Sequence, residues 1–259
     1  MPVRYLKTRI SLPPGLLDGS VVREFLRRAF EEYRWFRPTR FGRASIDRAL
    51  DPEHIDYDAL AAYYEELQDI TVAARTDRDY LLIFPAMNTD RIHAGGITWV
   101  TSVKEASRHA WRAAHQTQIM EVMQLFGSPL AQSGEGSDLE RKKERLVPSP
   151  DGIGSIQEST VRDYSEGLAG LFWRNFFGPP FVQMFGERLA SLPTQFKQDL
   201  GGGIVLVQPY ELPTQAGTPE GDALERRIID HLGPECFYDH ERHLKPTRVP
   251  LLRQGSTPS

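Results

Sequence analysis

From Val3 to Ile10 side-chain character alternates with period two, the pattern of a strand with one buried face. Pro13-Pro14-Gly15 breaks that pattern. Val22, Phe25, Leu26, Ala29, Phe30 and Tyr33 then recur at helical spacing and predict a helix over 21–33, with Ser20 as its N-cap. Arg23, Arg27, Arg28 and Arg34 fall largely on its other side. Asp51-Pro52 reads as an N-cap followed by proline at the first helical position, so a short helical turn is expected there. A longer helix is predicted from Asp58 to Leu67, burying Leu60, Tyr63 or Tyr64, and Leu67. The apolar run Tyr80–Phe84 predicts a buried strand, and Ile97–Thr101 another, entered through Gly95-Gly96.

The most sharply bounded helix is expected over 103–126. Ser102 and Glu105 stand in capping-box spacing, Gly127 and Pro129 supply the stop, and Ala106, Ala110, Ala113, Thr117, Met120 and Met123 line one face. Residues 132–157 are polar and rich in Gly, Ser and Pro, and are expected to form a mobile loop, the one candidate domain boundary. Residues 167–186 are dense in aromatics yet punctuated by glycines and a proline pair, which fits tight turns and close backbone packing. A surface this apolar must be buried, in the core or against a partner. Ile204–Val207 reads as a strand, and Glu220–Leu232 as a helix capped by Thr218.

Strands and helices mix without regular βα alternation, so the expected fold class is α+β, a mixed or antiparallel sheet flanked by helices. The expected organisation is one domain over 1–250 and a flexible tail over 251–259. Gly95-Gly96-Ile97 with a following helix is echoed by Gly202-Gly203-Ile204 with its own, which also admits two related halves.

Charge alters this picture locally. The net charge of −4 argues against a nucleic-acid partner. Residues 1–48 carry eleven Lys and Arg against five acids, whereas residues 49–90 carry two against ten. That swing suggests one basic and one acidic surface, unless the fold mixes them. No apolar run approaches the ~20 residues that cross a bilayer, and the first residues lack the core of a signal peptide, so a cytoplasmic location without membrane association is expected. The single cysteine, Cys236, is read as a small core residue in a short strand.

No phosphate-binding glycine loop and no nucleophile elbow is present. Asp230, His231, Cys236, Asp239, His240, Glu241 and His243 are metal-capable residue types in a short span, but His240 and His243 are three apart rather than four. They suit either a metal-dependent hydrolase or a solvated tail. His109 and His115 are six apart and do not share a helix face. The segment Asp51–Asp69 holds seven carboxylates and no Lys or Arg. Within it Asp56, Asp58, Glu65, Glu66 and Asp69 interleave with Tyr57, Tyr63 and Tyr64, a combination suited to a basic protein partner as well as to a solvated helix face. Trp173 and Arg174, inside the aromatic stretch, are further partner-binding candidates, with Arg174 able to meet a carboxylate or to brace the turns around it.

The run from Gly170 through Trp173-Arg174-Asn175 to Val182, followed by His231-Leu232-Gly233-Pro234 and Phe237-Tyr238-Asp239, resembles bacterial immunity protein 52-type sequences of polymorphic toxin systems. The resemblance covers roughly residues 165–240. It implies an α+β protein without cofactor or catalytic residues that binds and blocks a cognate protein toxin. The competing readings are the metal-dependent hydrolase and an assembly component whose Phe172–Phe185 stretch is an oligomer interface.

Overall fold

The computed structural model describes residues 4–76, 78–86 and 91–252, and the fold is α+β. The chain divides into two compact units, Met1–Ala131 and Gln132–Ser259.

In the first unit the strands stand in the order β1 (Tyr5–Ser11), β6 (Gly96–Ser102), β5 (Tyr80–Phe84), β4 (Ile70–Ala73), β2 (Arg40–Gly42) and β3 (Arg48–Ala49), every neighbour antiparallel. The alternation expected at the N-terminus is present: Leu6, Thr8 and Ile10 point inward, and Tyr5, Lys7, Arg9 and Ser11 are half-exposed. Val3 lies outside the described residues. β5 was expected to be buried on both faces, but only Leu81 and Ile83 are fully buried. Its two neighbours are the more buried strands, β4 along its whole length and β6 along all but its last residue.

The first helix, α1 (Gly19–Arg27), is capped by Asp18, whose carboxylate accepts from the Ser20 amide at 2.7 Å, so the cap lies two residues before the expected one. Val22, Phe25 and Leu26 bury its inner face. The predicted helix does not run on regularly to Tyr33. It widens into a π turn over Arg28–Glu32, closed by the Tyr33 amide donating to Arg28 carbonyl at 2.8 Å. Arg34 then takes φ 53°, in the left-handed region, and the Trp35 amide returns to Ala29 carbonyl at 3.0 Å. Apolar periodicity does not distinguish this wider turn from an α-helical one.

The short helix expected at Asp51-Pro52 is a turn, in which Asp51 accepts the Glu53 amide with its side chain and the His54 amide with its carbonyl. The second helix, α2 (Tyr57–Leu67), is capped by Asp56, which accepts from Ala59 at 2.9 Å. The long helix expected over 103–126 is broken. A 3-10 turn, Val103–Ser107, precedes α3 (His109–Phe126), with Arg108 extended between them. Arg112 ties the break by donating to the carbonyls of Ala106 and Ser107. The buried face of α3 is His115, Ile119, Val122, Met123 and Phe126, not the predicted alanine-rich stripe, and the helix stops at Gly127 as expected, at φ 62°.

In the second unit the sheet order is β7 (Leu130–Glu135), β10 (Arg174–Phe177), β12 (Ile204–Val207), β11 (Lys197–Gly201), with β10–β12 and β12–β11 antiparallel. Residues 132–157 do not form the expected loop. They continue β7, build α4 (Gly136–Lys143) and begin a hairpin of β8 (Glu144–Pro148) and β9 (Ser155–Ser159), which leaves Leu146, Ile153 and Ile156 exposed. The segment is polar because its hairpin faces water and because α4 buries an ion pair instead of an apolar stripe, so composition misrepresents its order. The aromatic stretch is buried: Phe172, Trp173, Phe176, Phe177, Phe181 and Phe185 are all at most 1% exposed. It forms β10 and α5 (Pro179–Phe185), followed by α6 (Glu187–Ser191), and Phe177 packs on both Phe181 and Phe185. It is therefore not the exposed surface that the oligomer-interface reading needs. The last helix, α7 (Pro219–Leu232), has the predicted Thr218 cap. Cys236 is buried in a 3-10 turn, Pro234–Cys236, not in a strand. Of the expected flexible tail, residues 253–259 lie outside the described residues.

Candidate functional site

Helix α2 sorts the acidic segment into two sides. Tyr57, Tyr63 and Tyr64 are buried, Tyr64 completely, and they pack the helix down instead of offering aromatic area to a partner. Burial pushes the Tyr64 phenol up to about 12, and burial, with the Glu31 carboxylate after it, also raises Tyr57. Both stay neutral at physiological pH. Tyr63 is held by its T-shaped contact with Phe41 and by Arg48 over its ring.

Six of the seven carboxylates are exposed, and basic residues upstream meet three of the seven. Asp58 pairs with Arg23 of α1, Glu53 with Arg37, and Asp69 with Arg43 at 3.5 Å. The basic and acidic stretches of the sequence therefore mix in part, where α1 packs against α2. Asp56 is occupied as the helix cap. Glu65 is exposed, yet its carboxylate sits where a Cβ on Gly19 would go, at the positive end of α1, where a negative charge is favoured. Glu66 is exposed and forms no ion pair with any described residue.

Trp173 and Arg174 lie in the second unit, in its core. The Trp173 indole donates to Glu211 carbonyl at 2.9 Å, and the Arg174 guanidinium stacks over that indole at 4.3 Å while bonding Gln208 at 3.0 Å. Asn175 beside them accepts the Phe172 amide and donates to the carbonyls of Phe172 and Val207. Through these bonds Trp173, Arg174 and Asn175 tie the start of β10 to the end of β12 and the chain that follows it.

A buried charge cluster in the same unit is far less legible in the sequence. Lys142 of α4 is only 6% exposed, and each of its three ammonium hydrogens has an acceptor: Asp138 at 2.9 Å, Glu225 of α7 at 2.7 Å and Leu171 carbonyl at 2.6 Å. Arg141 shares Asp138 at 2.7 Å, and the Tyr210 hydroxyl donates to Glu225 at 2.8 Å. Gly170 (φ 157°) lets the lysine stem pass, because a Cβ there would lie 3.2 Å from Lys142 Cδ. Burial raises Glu225, against the pull of Lys142. The Asp138 and Lys142 spacing of four was the visible signal; Glu225, 83 residues onward, was not foreseeable. With every member partnered, the cluster is a structural clasp between α4 and α7.

The C-terminal histidine cluster does not assemble. Among the described residues no three of His, Cys, Asp and Glu come together to hold a metal ion. His231 meets Ser191 and Arg188 carbonyl, His240 meets Ala169 carbonyl at 2.6 Å, and Asp239 caps the turn at Glu241 and Arg242. Burial lowers His240. The hydrolase reading loses its ligand set. No described helix is long and apolar enough to cross a membrane.

No family model matches the chain, and no curated protein matches it. Among solved structures it is similar to the Pseudomonas aeruginosa T6SS protein PA0821, with a TM-score of 0.56 at 12% identity, over 94% of this chain and 78% of that one. At that identity the two share a fold.

Proposed function

We propose that this chain is an immunity-type protein that neutralises a cognate bacterial toxin in the cytoplasm by direct binding, with the exposed side of α2 as part of the contact surface. The observation that carries the reading is the division of α2 into a buried tyrosine side and a water-facing side on which Glu66 forms no ion pair with any described residue. An uncompensated acid on a helix anchored by three buried tyrosines is a pre-organised contact, costing little side-chain or backbone ordering on binding. The fold shared with a protein named for T6SS is compatible with a toxin system, as is the resemblance of residues 165–240 to immunity protein 52-type sequences.

The test is co-purification with the product of the neighbouring gene, using wild type and Glu66→Lys. Glu66 is the cleaner probe, since changing Glu65 to a cation also disturbs the start of α1. A complex weakened by charge reversal supports both the function and the face. A complex indifferent to it keeps the function and moves the face, and the absence of any complex removes the reading.

A further inference from the structure

Strands β8 and β9 form a sheet of their own, and every residue of β9 is exposed. At one end of the ladder the Thr160 amide donates to Lys143 carbonyl at 2.9 Å, and at the other the Ser149 amide donates to Gly154 carbonyl at 3.1 Å. Antiparallel pairs alternate between hydrogen-bonded and open, so Arg145–Glu158 and Val147–Ile156 are bonded pairs, and Glu144–Ser159, Leu146–Gln157 and Pro148–Ser155 are open ones. The backbone N–H and C=O groups of Ser155, Gln157 and Ser159 therefore point away from β8. No backbone group among the described residues meets them. The β8 edge is different. There the Glu144 amide is taken by Glu140 carbonyl at the end of α4, and Pro148 has no amide to offer. The β9 edge has no such guard: it contains no proline, no lysine and no bulge. A hairpin of two strands is marginal in water by itself, and this one also leaves Leu146, Ile153 and Ile156 exposed.

We propose that β9 docks against β9 of a second copy of this chain, antiparallel about Gln157, to make a four-stranded sheet across a two-fold axis. The outward groups are their own complement. A two-fold at Gln157 sets Gln157 opposite its equivalent and Ser155 opposite Ser159, so outward groups meet outward groups and each pair exchanges both hydrogen bonds. Between these pairs Ile156 stands opposite Glu158. That carboxylate is already matched inside its own hairpin, where Arg145 Nε donates to it at 2.8 Å, and Glu144 is held by the Gln157 side chain. The two copies thus meet with no like charges directly opposed. Antiparallel docking also carries the bare Ile153 at each hairpin tip toward the base of the other hairpin. This symmetry selects a copy of the chain over an unrelated strand, for which the edge has no matched register. The contact is one five-residue strand wide, short of the about 800 Å² per partner of standard complexes, so the dimer belongs to the transient class. The inference is independent of the toxin-binding reading.

The experiment is sedimentation equilibrium of the full chain from about 1 μM to about 500 μM, with a thermal melt of each variant. Gln157→Pro removes the central outward amide and breaks no backbone bond to β8, so it should leave the chain monomeric at every concentration with its melt unchanged. Gln157→Lys and Gln157→Glu each set like charges opposite one another and should weaken dimerisation about fivefold or more. An equimolar mixture of those two variants should recover the dimer, because opposite charges then meet on the axis. A wild type that stays monomeric across the range overturns the proposal; if Gln157→Pro then also weakens toxin capture, the edge belongs to the toxin instead. A dimer indifferent to Gln157→Pro overturns β9 as the contact. Charge variants whose mixture fails to recover the dimer overturn the two-fold pairing at Gln157. If Gln157→Pro melts early, the two charge variants and their mixture decide the matter without it.

Discussion

Replacing Lys142 by Met tests whether the charge cluster in the second unit is a clasp. Methionine keeps the unbranched stem that passes Gly170 and opens little cavity. What goes is the ammonium, and with it three hydrogen bonds. Asp138 keeps Arg141 at 2.7 Å, whereas Glu225 keeps only the Tyr210 hydroxyl at 2.8 Å, inside a site where it is 5% exposed. Breaking a buried pair from one side costs about 3–5 kcal/mol, because the remaining charge is stranded. At about 2–4 °C per kcal/mol for a chain of this size, the transition of the second unit should fall by about 6–20 °C.

The cost should also depend on pH. Burial already holds the folded-state Glu225 above its ordinary value, and losing Lys142 removes the cation that opposed this. A carboxyl raised on folding keeps its proton in the native state while the unfolded chain releases it near pH ~4.3. Native protein then binds more protons than unfolded, so stability falls as pH rises through and above that value. The deficit of Lys142→Met relative to wild type should therefore be smaller at pH 5 than at pH 7.5, and adding Glu225→Gln should recover part of it at pH 7.5. Urea denaturation of wild type, Lys142→Met, Glu225→Gln and the double variant at both pH values measures this. A deficit below about 1 kcal/mol, or one that fails to shrink at pH 5, refutes the clasp.

Other outcomes follow from single contacts. Asp56→Ala removes the cap of α2 and should cost about 1 kcal/mol in denaturant unfolding; an unchanged midpoint would mean the cap contributes nothing. Cys236 is fully buried, and burial, followed by the Glu235 charge, lifts its thiol to about 11, so an aromatic disulfide reagent should label it only after denaturation. Glu66→Lys should weaken toxin capture without lowering the melting temperature, since an exposed, unpaired side chain is worth within about 0.5 kcal/mol to the fold.

Periodicity recovered what is local. β1, β6, α2 and α7 carry their own alternation, caps and stops, and their positions are readable to within a residue or two. It failed where distant partners decide. α4 buries Asp138 and Lys142 only because Glu225 and Leu171 carbonyl wait for them, so a stretch that is polar in sequence is ordered in the fold. The π turn and the left-handed Arg34 have no compositional mark, since arginine is not a residue that announces a reversal. At the acidic segment residue types were informative but their directions were not: the tyrosines are buried, and Arg23 of α1 pairs with Asp58, 35 residues away. At Trp173 and Arg174 the long-range partners, Glu211 carbonyl and the Gln208 side chain, carry no local mark in the sequence.

The tryptophans are divided in a way that makes the molecule self-reporting. Three of the four lie in the first unit, where Trp35 and Trp99 stack at 4.1 Å and 2°, Trp111 stands 5.9 Å from Trp99, and the His115 ring contacts both Trp99 and Trp111. Two indoles held face to face couple their electronic transitions, so this unit should give an exciton couplet in circular dichroism that disappears when the stack opens. Trp173, under the Arg174 guanidinium, is the lone indole of the second unit, and its emission answers to that stacked cation. The couplet can therefore time the loss of the first unit without a label, and emission that still changes after the couplet has gone reports the second.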